Sequence, residues 1–139
     1  MKVVVDASVA VKWFLRDAAD EDHVPQAVDL LHAIGDGRLQ AIQPPHWLAE
    51  VAAVLTRRYP QAAQAAVELL AAMNFPILTD LTCYRRAVEL AQSCQHHLFD
   101  TLYHATALES GATLVTADRR YWHKARNLGR IALLEVFAA

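Results

Sequence analysis

Short apolar runs alternate with longer helical patterns along the whole chain, and this alternation restricts its possible folds more than any other feature. The first run, residues 3–5, is continuous and β-branched, which is typical of a strand covered on both faces. Further strands are predicted at residues 39–42, 75–78, 114–115 and 131–136. The pattern predicts a single α/β domain over residues 1–139, with three layers (α/β/α) and a mainly parallel five-stranded sheet.

Composition supports a globular domain and excludes some functional classes. The 139 residues are 55% hydrophobic and 20% charged, which excludes intrinsic disorder. The formal net charge of −2 excludes a strongly basic nucleic-acid binder and leaves a local basic patch open.

Cysteine usage and apolar run lengths indicate a cytoplasmic protein without a membrane partner. Cys83 and Cys94 lie too far apart for a short metal knuckle and are too few for a disulfide framework. The N-terminal apolar run ends at Asp6, which is too early for a signal peptide. No stretch approaches the roughly 18 apolar residues that a membrane span needs.

Acidic residues follow the predicted strands at the edge where parallel sheets bind ligands. Asp6 follows the first strand and Asp118 the fourth, so both are expected at one edge. Asp100 opens the helix that leads into the fourth strand, and Glu50 lies in an earlier helix. All three aspartates also stand where helix N-caps belong, and Glu50 fits a solvated helix face.

A divalent-metal site is the functional alternative to capping. Carboxylates that converge repel one another and partly protonate unless a cation compensates them. Mg²⁺ and Mn²⁺ prefer such oxygen ligands, and a bound ion can activate a water and hold a phosphate. The residues by themselves leave both interpretations open.

Each of these acids lies in a short motif. The segments are residues 3–14 (VVVDASVAVKWF), 45–51 (PHWLAEV), 99–105 (FDTLYHA) and 114–121 (LVTADRRY). In this order they resemble the four acidic motifs of PIN-domain ribonucleases, particularly the VapC-type toxins of toxin–antitoxin pairs. The resemblance spans nearly the whole chain.

The resemblance implies a metal-dependent endoribonuclease that binds Mg²⁺ or Mn²⁺. The implied metal ligands and catalytic residues are Asp6, Glu50, Asp100 and Asp118, and the implied supporting hydroxyls are those of Ser8 and Thr116. It further implies a homodimer and a cognate antitoxin partner. Ala53 and His104 depart from residues that are common in relatives, which bears on substrate and rate.

Basic residues around the last motif are the candidates for RNA contact. The predicted contacts are Lys12, Arg119, Arg120 and Lys124, and Arg126 and Arg130 belong to the same basic cluster. Tyr121 and Trp122 are candidates for stacking on unpaired bases, with core packing as the alternative. His104 is a candidate for positioning phosphate or water, or else a structural residue. The adjacent His96 and His97 are predicted to be a surface or loop pair.

Two other functions compete with the nuclease. A phosphohydrolase would use Asp6 as nucleophile, but that class needs a second aspartate where this chain has Ser8. A non-catalytic PIN module would bind RNA or protein without turnover. Five early apolar residues are expected in the core, with a dimer face or antitoxin groove as the family alternative: Trp13, Phe14, Trp47, Leu48 and Leu55.

Overall fold

A four-stranded parallel sheet forms the centre of the domain in a computed structural model, which describes residues 1–139. The strands are β1 (Lys2–Val5), β2 (Gln40–Ala41), β3 (Thr113–Thr116) and β4 (Ile131–Leu133). Their order across the sheet is β2-β1-β3-β4, and every pair is parallel. The predicted α/β fold is therefore confirmed, with four strands in place of five.

The strand predicted at residues 75–78 is wrong. Only one parallel bridge forms there, between Ile77 and Gln43. The Pro76 carbonyl accepts a hydrogen bond from the backbone N–H of Gln43 at 2.9 Å, but Pro76 has no N–H of its own with which to extend the strand pairing. The last predicted strand is also shorter than expected, because Leu134–Val136 turns into a 3₁₀ helix.

Seven α-helices surround the sheet. They are α1 (Ala7–Ala10), α2 (Val24–Gly35), α3 (Trp47–Arg58), α4 (Ala63–Ala72), α5 (Leu81–Cys94), α6 (Leu98–Ser110) and α7 (Arg119–Ala125). Two further 3₁₀ turns cover Val11–Trp13 and Arg126–Leu128. None of the helices has both the length and the apolar character that crossing a membrane requires.

The core packs against both faces of β1. Val3, Val4 and Val5 are each at most 1% exposed, and successive strand side chains point to opposite faces. Both faces of this strand are therefore covered, as the β-branched run predicted.

The early apolar residues belong to this core. Trp13, Trp47 and Leu55 are buried, and Phe14 and Leu48 pack against them while partly buried. The Trp13 indole N–H donates to the Ala27 carbonyl at 2.8 Å, which fixes α2 against the first turns.

The strand order places a crevice beyond the ends of β1 and β3. The chain runs from β1 outward to β2, then returns to β3 on the other side of β1. Ligands in open parallel sheets bind at such a reversal. The Asp6 amide donates to the Val115 carbonyl at 3.1 Å, so strand pairing extends to the first of the predicted site residues.

Candidate metal centre

The structure brings the four predicted acids together at the crevice. Asp6 and Asp118 follow β1 and β3, Asp100 lies in the first turn of α6, and Glu50 lies in the first turn of α3. The negative charges of Asp100 and Asp118 act on Asp6, and those of Asp6 and Asp100 act on Glu50. Residues far apart in sequence therefore form one electronegative cluster.

Asp6 is the buried centre of this cluster. Its Oδ2 accepts hydrogen bonds from the hydroxyls of Ser8 and, at 3.1 Å, Thr116. Burial raises the pKa of Asp6 to about 6, and the charges of Asp100 and Asp118 add to this increase. Asp6 occupies the N-cap position of α1, as predicted, but its side chain makes no capping bond there and faces the cluster instead.

The two supporting hydroxyls also anchor the chain that follows β3. The Ser8 hydroxyl accepts from the Ala117 amide at 3.1 Å, and the Thr116 hydroxyl accepts from the Asp118 amide at 3.0 Å. Ser8 and Thr116 therefore connect the end of β1 to the end of β3, and they fix both aspartates relative to each other.

The Glu50 carboxylate is more accessible to solvent than that of Asp6. It is half-buried, and this burial together with the charges of Asp6 and Asp100 raises its pKa to about 7. His46 Nε2 lies 3.6 Å from Glu50 Oε2, and its N–H donates to the Phe99 carbonyl at 2.7 Å.

Tyr103 closes the inner side of the cluster. Its ring is fully buried, and its hydroxyl, which lies beside Glu50, has no hydrogen-bond partner of ordinary geometry. Burial and the nearby charges of Asp6 and Glu50 raise the pKa of the phenol. A buried hydroxyl without a partner, turned toward a carboxylate cluster, indicates a ligand or water there.

Asp118 serves both as a cap and as part of the cluster. Its Oδ1 accepts from the Tyr121 amide at 3.0 Å, which caps α7, while its Oδ2 faces the crevice 3.7 Å from His96. Asp100 is not the N-cap of α6, since His97 occupies that position.

His96 belongs to the cluster. The predicted surface or loop pair lies in the loop between α5 and α6, but the His96 side chain is not at the surface. Its Nε2 lies 2.9 Å from Asp100 Oδ2, and the side chain is only 7% exposed. The left-handed backbone of Gln95 ends α5 and directs His96 inward, whereas His97 is exposed. The four-residue spacing between His96 and Asp100 is the sequence signal that was available.

The donor set fits a divalent cation. One polar side-chain atom of each of His96, Asp100 and Asp118 lies within 4.8 Å of the others, so the two aspartates can share one ion beside the imidazole. Adjacent ligands at about 2.1 Å from an octahedral ion are roughly 3 Å apart, and opposite ones about 4.2 Å. Burial first, and then the charges of neighbouring carboxylates, raise the pKa values of Asp6 and Glu50, and a bound cation would offset both effects.

The structure separates the predicted RNA contacts. Lys12 is buried, and its ammonium pairs with Glu21 at 2.7 Å and with the Asp22 carbonyl at 2.6 Å. Lys12 is therefore a structural residue, and its predicted phosphate contact is wrong. Arg119 pairs with Glu135 at 2.7 Å.

Arg120 and Lys124 line a polar cavity of about 340 Å³ beside His96. The Lys124 ammonium donates to the Gln95 carbonyl at 2.9 Å and lies 3.2 Å from His96 Nδ1. Arg120 is exposed and makes no ion pair.

Two aromatic candidates are structural. Tyr121 is buried, and its hydroxyl donates to His104 Nδ1 at 2.8 Å, so it does not stack on bases. His104 is itself fully buried, and its Nε2–H donates to the Gly129 carbonyl at 2.8 Å. Trp122 remains partly exposed, with the Arg126 guanidinium 5.2 Å from its ring centre.

The sequence of the chain matches a known family. The family model of the PIN domain matches residues 3–127. The chain belongs to the PIN domain family. The resemblance noted in the sequence is therefore confirmed at the level of the family. No curated protein sequence matches the chain.

Solved structures of PIN proteins share the fold at low sequence identity. VapBC2 from Rickettsia felis, bound to a promoter DNA fragment, is 14% identical, with a TM-score of 0.68 over 96% of this chain and 97% of its own. VapC20 from Mycobacterium tuberculosis, described as a sarcin–ricin loop cleaving toxin, is 20% identical, with a TM-score of 0.62 over 81% and 86%. VapBC-1 from nontypeable Haemophilus influenzae is 15% identical, with a TM-score of 0.65 over 97% and 99%.

Proposed function

We propose that this PIN domain is a metal-dependent endoribonuclease and the toxin component of a toxin–antitoxin pair. It hydrolyses RNA phosphodiester bonds with Mg²⁺ or Mn²⁺ in the cytoplasm. The observation that carries the proposal is the convergence of Asp6, Glu50, Asp100 and Asp118 at the crevice between β1 and β3. Membership of the PIN family supports it independently.

The four carboxylates hold the ion and orient the attacking water. The ion supplies charge that polarises the phosphate and eases ionisation of a water. Asp6 is held by the hydroxyls of Ser8 and Thr116, so its orientation is fixed before the ion binds. Burial and the charges of Asp6 and Asp100 raise the pKa of Glu50 to about 7, which suits it to accept a proton from the attacking water. The water oxygen joins phosphorus, the ester bond breaks, and the leaving oxygen takes up a proton.

The cavity beside His96 supports binding of an RNA phosphate. Arg120 is unpaired and Lys124 adds a second positive charge at the same wall. Both lie on α7, which Asp118 caps, and His96, which lines the same cavity, lies 2.9 Å from Asp100 on its other side. Arg119 contributes more weakly because it already pairs with Glu135.

The proposed partners are an antitoxin and a second copy of the chain. Two of the similar structures are described as VapBC, which supports the antitoxin. Trp13, Trp47 and Leu55 lie in the core and cannot form the dimer face. Exposed apolar residues on one stripe of α5 favour that helix instead: Leu81, Tyr84 and Val88.

RNA cleavage by purified protein, free of antitoxin, tests the proposal. We expect a structured RNA that contains a sarcin–ricin loop to be cut with Mg²⁺ or Mn²⁺, and EDTA to stop cleavage. Asp6→Asn removes cleavage and growth arrest on expression, while Asp29→Asn, on the exposed face of α2, retains both. Cleavage by Asp6→Asn at the parental rate contradicts the proposal. A trapped phosphate on Asp6 would establish the phosphohydrolase, and metal binding without turnover a binding module.

A further inference from the structure

We infer that His96 is a positioning residue for the metal centre, which orients Asp100 through a hydrogen bond from Nε2 and does not itself ligate the ion. The inference rests on the proposed function, because it concerns the same carboxylates. No motif that suggested the nuclease includes His96, and the doublet it forms with His97 predicted surface exposure.

The first step is the burial of the imidazole. The His96 side chain is 7% exposed, and its ring packs 4.8 Å from that of Tyr121, centre to centre. Its Nε2 lies 2.9 Å from Asp100 Oδ2 and 3.7 Å from Asp118 Oδ2. The imidazole therefore lies between the carboxylate of Asp100, on α6, and that of Asp118, at the start of α7.

The second step is the tautomer, which Lys124 determines. The Lys124 ammonium lies 3.2 Å from His96 Nδ1 and can only donate hydrogen bonds. Nδ1 is therefore the acceptor, and the ring hydrogen sits on Nε2, where it points at Asp100. A second bond, from the same ammonium to the Gln95 carbonyl at 2.9 Å, holds Lys124 in place.

The third step concerns which atoms remain for the ion. A nitrogen that carries hydrogen has no lone pair for a metal, so Nε2 acts as a donor to Asp100 Oδ2. Asp100 keeps its other oxygen for the ion, and Asp118 keeps Oδ2, since its Oδ1 caps α7. Hydrogen bonds of this kind orient ligating carboxylates, and losing one typically weakens metal binding about 10–100-fold.

The first test is calorimetric titration of the RNA-free protein with metal ions. We expect His96→Ala to weaken Mn²⁺ and Mg²⁺ binding by the same factor, about tenfold or more. His96→Gln restores most of the affinity, because its amide can donate where Nε2 does. His123→Ala, on the exposed side of α7, leaves both affinities unchanged. Unchanged binding in His96→Ala overturns the inference, as does a selective loss of Mn²⁺ affinity, which would mark His96 as a nitrogen ligand.

Nitrogen NMR of the imidazole is the second test, and it is independent of stability and activity. We expect the hydrogen on Nε2 both in EDTA and with saturating Mg²⁺, because Lys124 stays on Nδ1. A shift of the hydrogen to Nδ1 when Mg²⁺ binds overturns the inference, since it would free Nε2 to ligate.

The two proposals fail in different ways. If the parent protein binds Mg²⁺ and cuts no RNA, the nuclease proposal fails while the titrations still decide the role of His96. If the parent cuts RNA and His96→Ala matches it in metal affinity, only the role of His96 fails.

Discussion

At the scale of single residues, the buried and ionised carboxylate of Asp6 lowers the stability of the metal-free protein. The pKa of this carboxyl is about 6 against an ordinary 3.8, so its ionised form in the metal-free protein costs on the order of 3 kcal/mol. Asn keeps an oxygen that can accept from Ser8 and Thr116 and removes the charge. We expect Asp6→Asn to raise the free energy of unfolding in EDTA at pH 8 by about 2 kcal/mol, measured with urea. A less stable variant would show that Asp6 is not under electrostatic strain.

The buried pair of Tyr121 and His104 gives a contrasting residue, with a role in stability alone. Tyr121→Phe removes the hydroxyl that donates to His104 Nδ1 at 2.8 Å and leaves that nitrogen buried without a partner. Such a loss costs about 1–3 kcal/mol. We expect urea unfolding to report this decrease, with cleavage per folded molecule unchanged. A large loss of cleavage in a folded variant would place Tyr121 in the site.

Residue-level prediction from the sequence succeeded where the backbone alone determines position. Asp6 and Asp118 follow buried parallel strands, so their shared edge was predictable. The local sequence offered one signal for His96, its four-residue spacing to Asp100, and none for the burial of Lys12. A left-handed residue at Gln95 turns His96 inward, and the carboxylate of Glu21 pairs with the Lys12 ammonium.

At the scale of elements, the side chain of Gln43 completes an edge that backbone pairing leaves short. Strand β2 ends at Ala41, and the buried Gln43 amide then bonds both backbone groups of Val5. Its oxygen accepts from the Val5 N–H at 2.8 Å, and its nitrogen donates to the Val5 carbonyl at 2.9 Å. The carboxyl end of β1, immediately before Asp6, therefore depends on one side chain.

Replacing that side chain should affect both fold and site. Gln43→Leu leaves two buried backbone groups of Val5 unpaired, each at a cost of about 1–3 kcal/mol. We expect a lower urea midpoint and weaker Mg²⁺ binding, because Asp6 loses its fixed position. Gln40→Leu, at an exposed position of β2, serves as the matched control. Equal stability of the two variants would contradict this role of Gln43.

The strand predictions differ in outcome for a related reason. Residues 3–5 are β-branched and all pair with β3, and Val3 also pairs with β2, so composition and structure agree. Residues 75–78 have a similar apolar character, yet Pro76 limits pairing and only one bridge with Gln43 forms. Apolar content therefore located the edge of the sheet, while the hydrogen-bonding capacity of each residue determined whether a strand formed.

At the scale of the whole molecule, stability is linked to pH and to metal. The pKa values of Asp6 and Glu50 rise from 3.8 and 4.5 to about 6 and about 7. At these two carboxyls the native state therefore binds more protons than the unfolded state between roughly pH 4 and 7, so their contribution to the free energy of unfolding falls as pH rises. The lowered pKa values of the buried His46 and His104 act in the opposite direction. The electrostatic cost is absent below the lower values and complete above the higher ones.

This linkage predicts how metal and pH act together on thermal unfolding. In EDTA the melting temperature of the parent protein, taken relative to that of the Asp6→Asn variant, should fall as pH rises from 5 to 8, because the variant lacks one of the charges. Mg²⁺ at 100 times its dissociation constant should add about 2.7 kcal/mol of stability at pH 8. The gain should shrink toward pH 5, where protons compete with Mg²⁺ for Asp6 and Glu50. Calorimetric scans across this range check the prediction, and a metal-induced gain that does not depend on pH would mean that the ion binds outside this cluster.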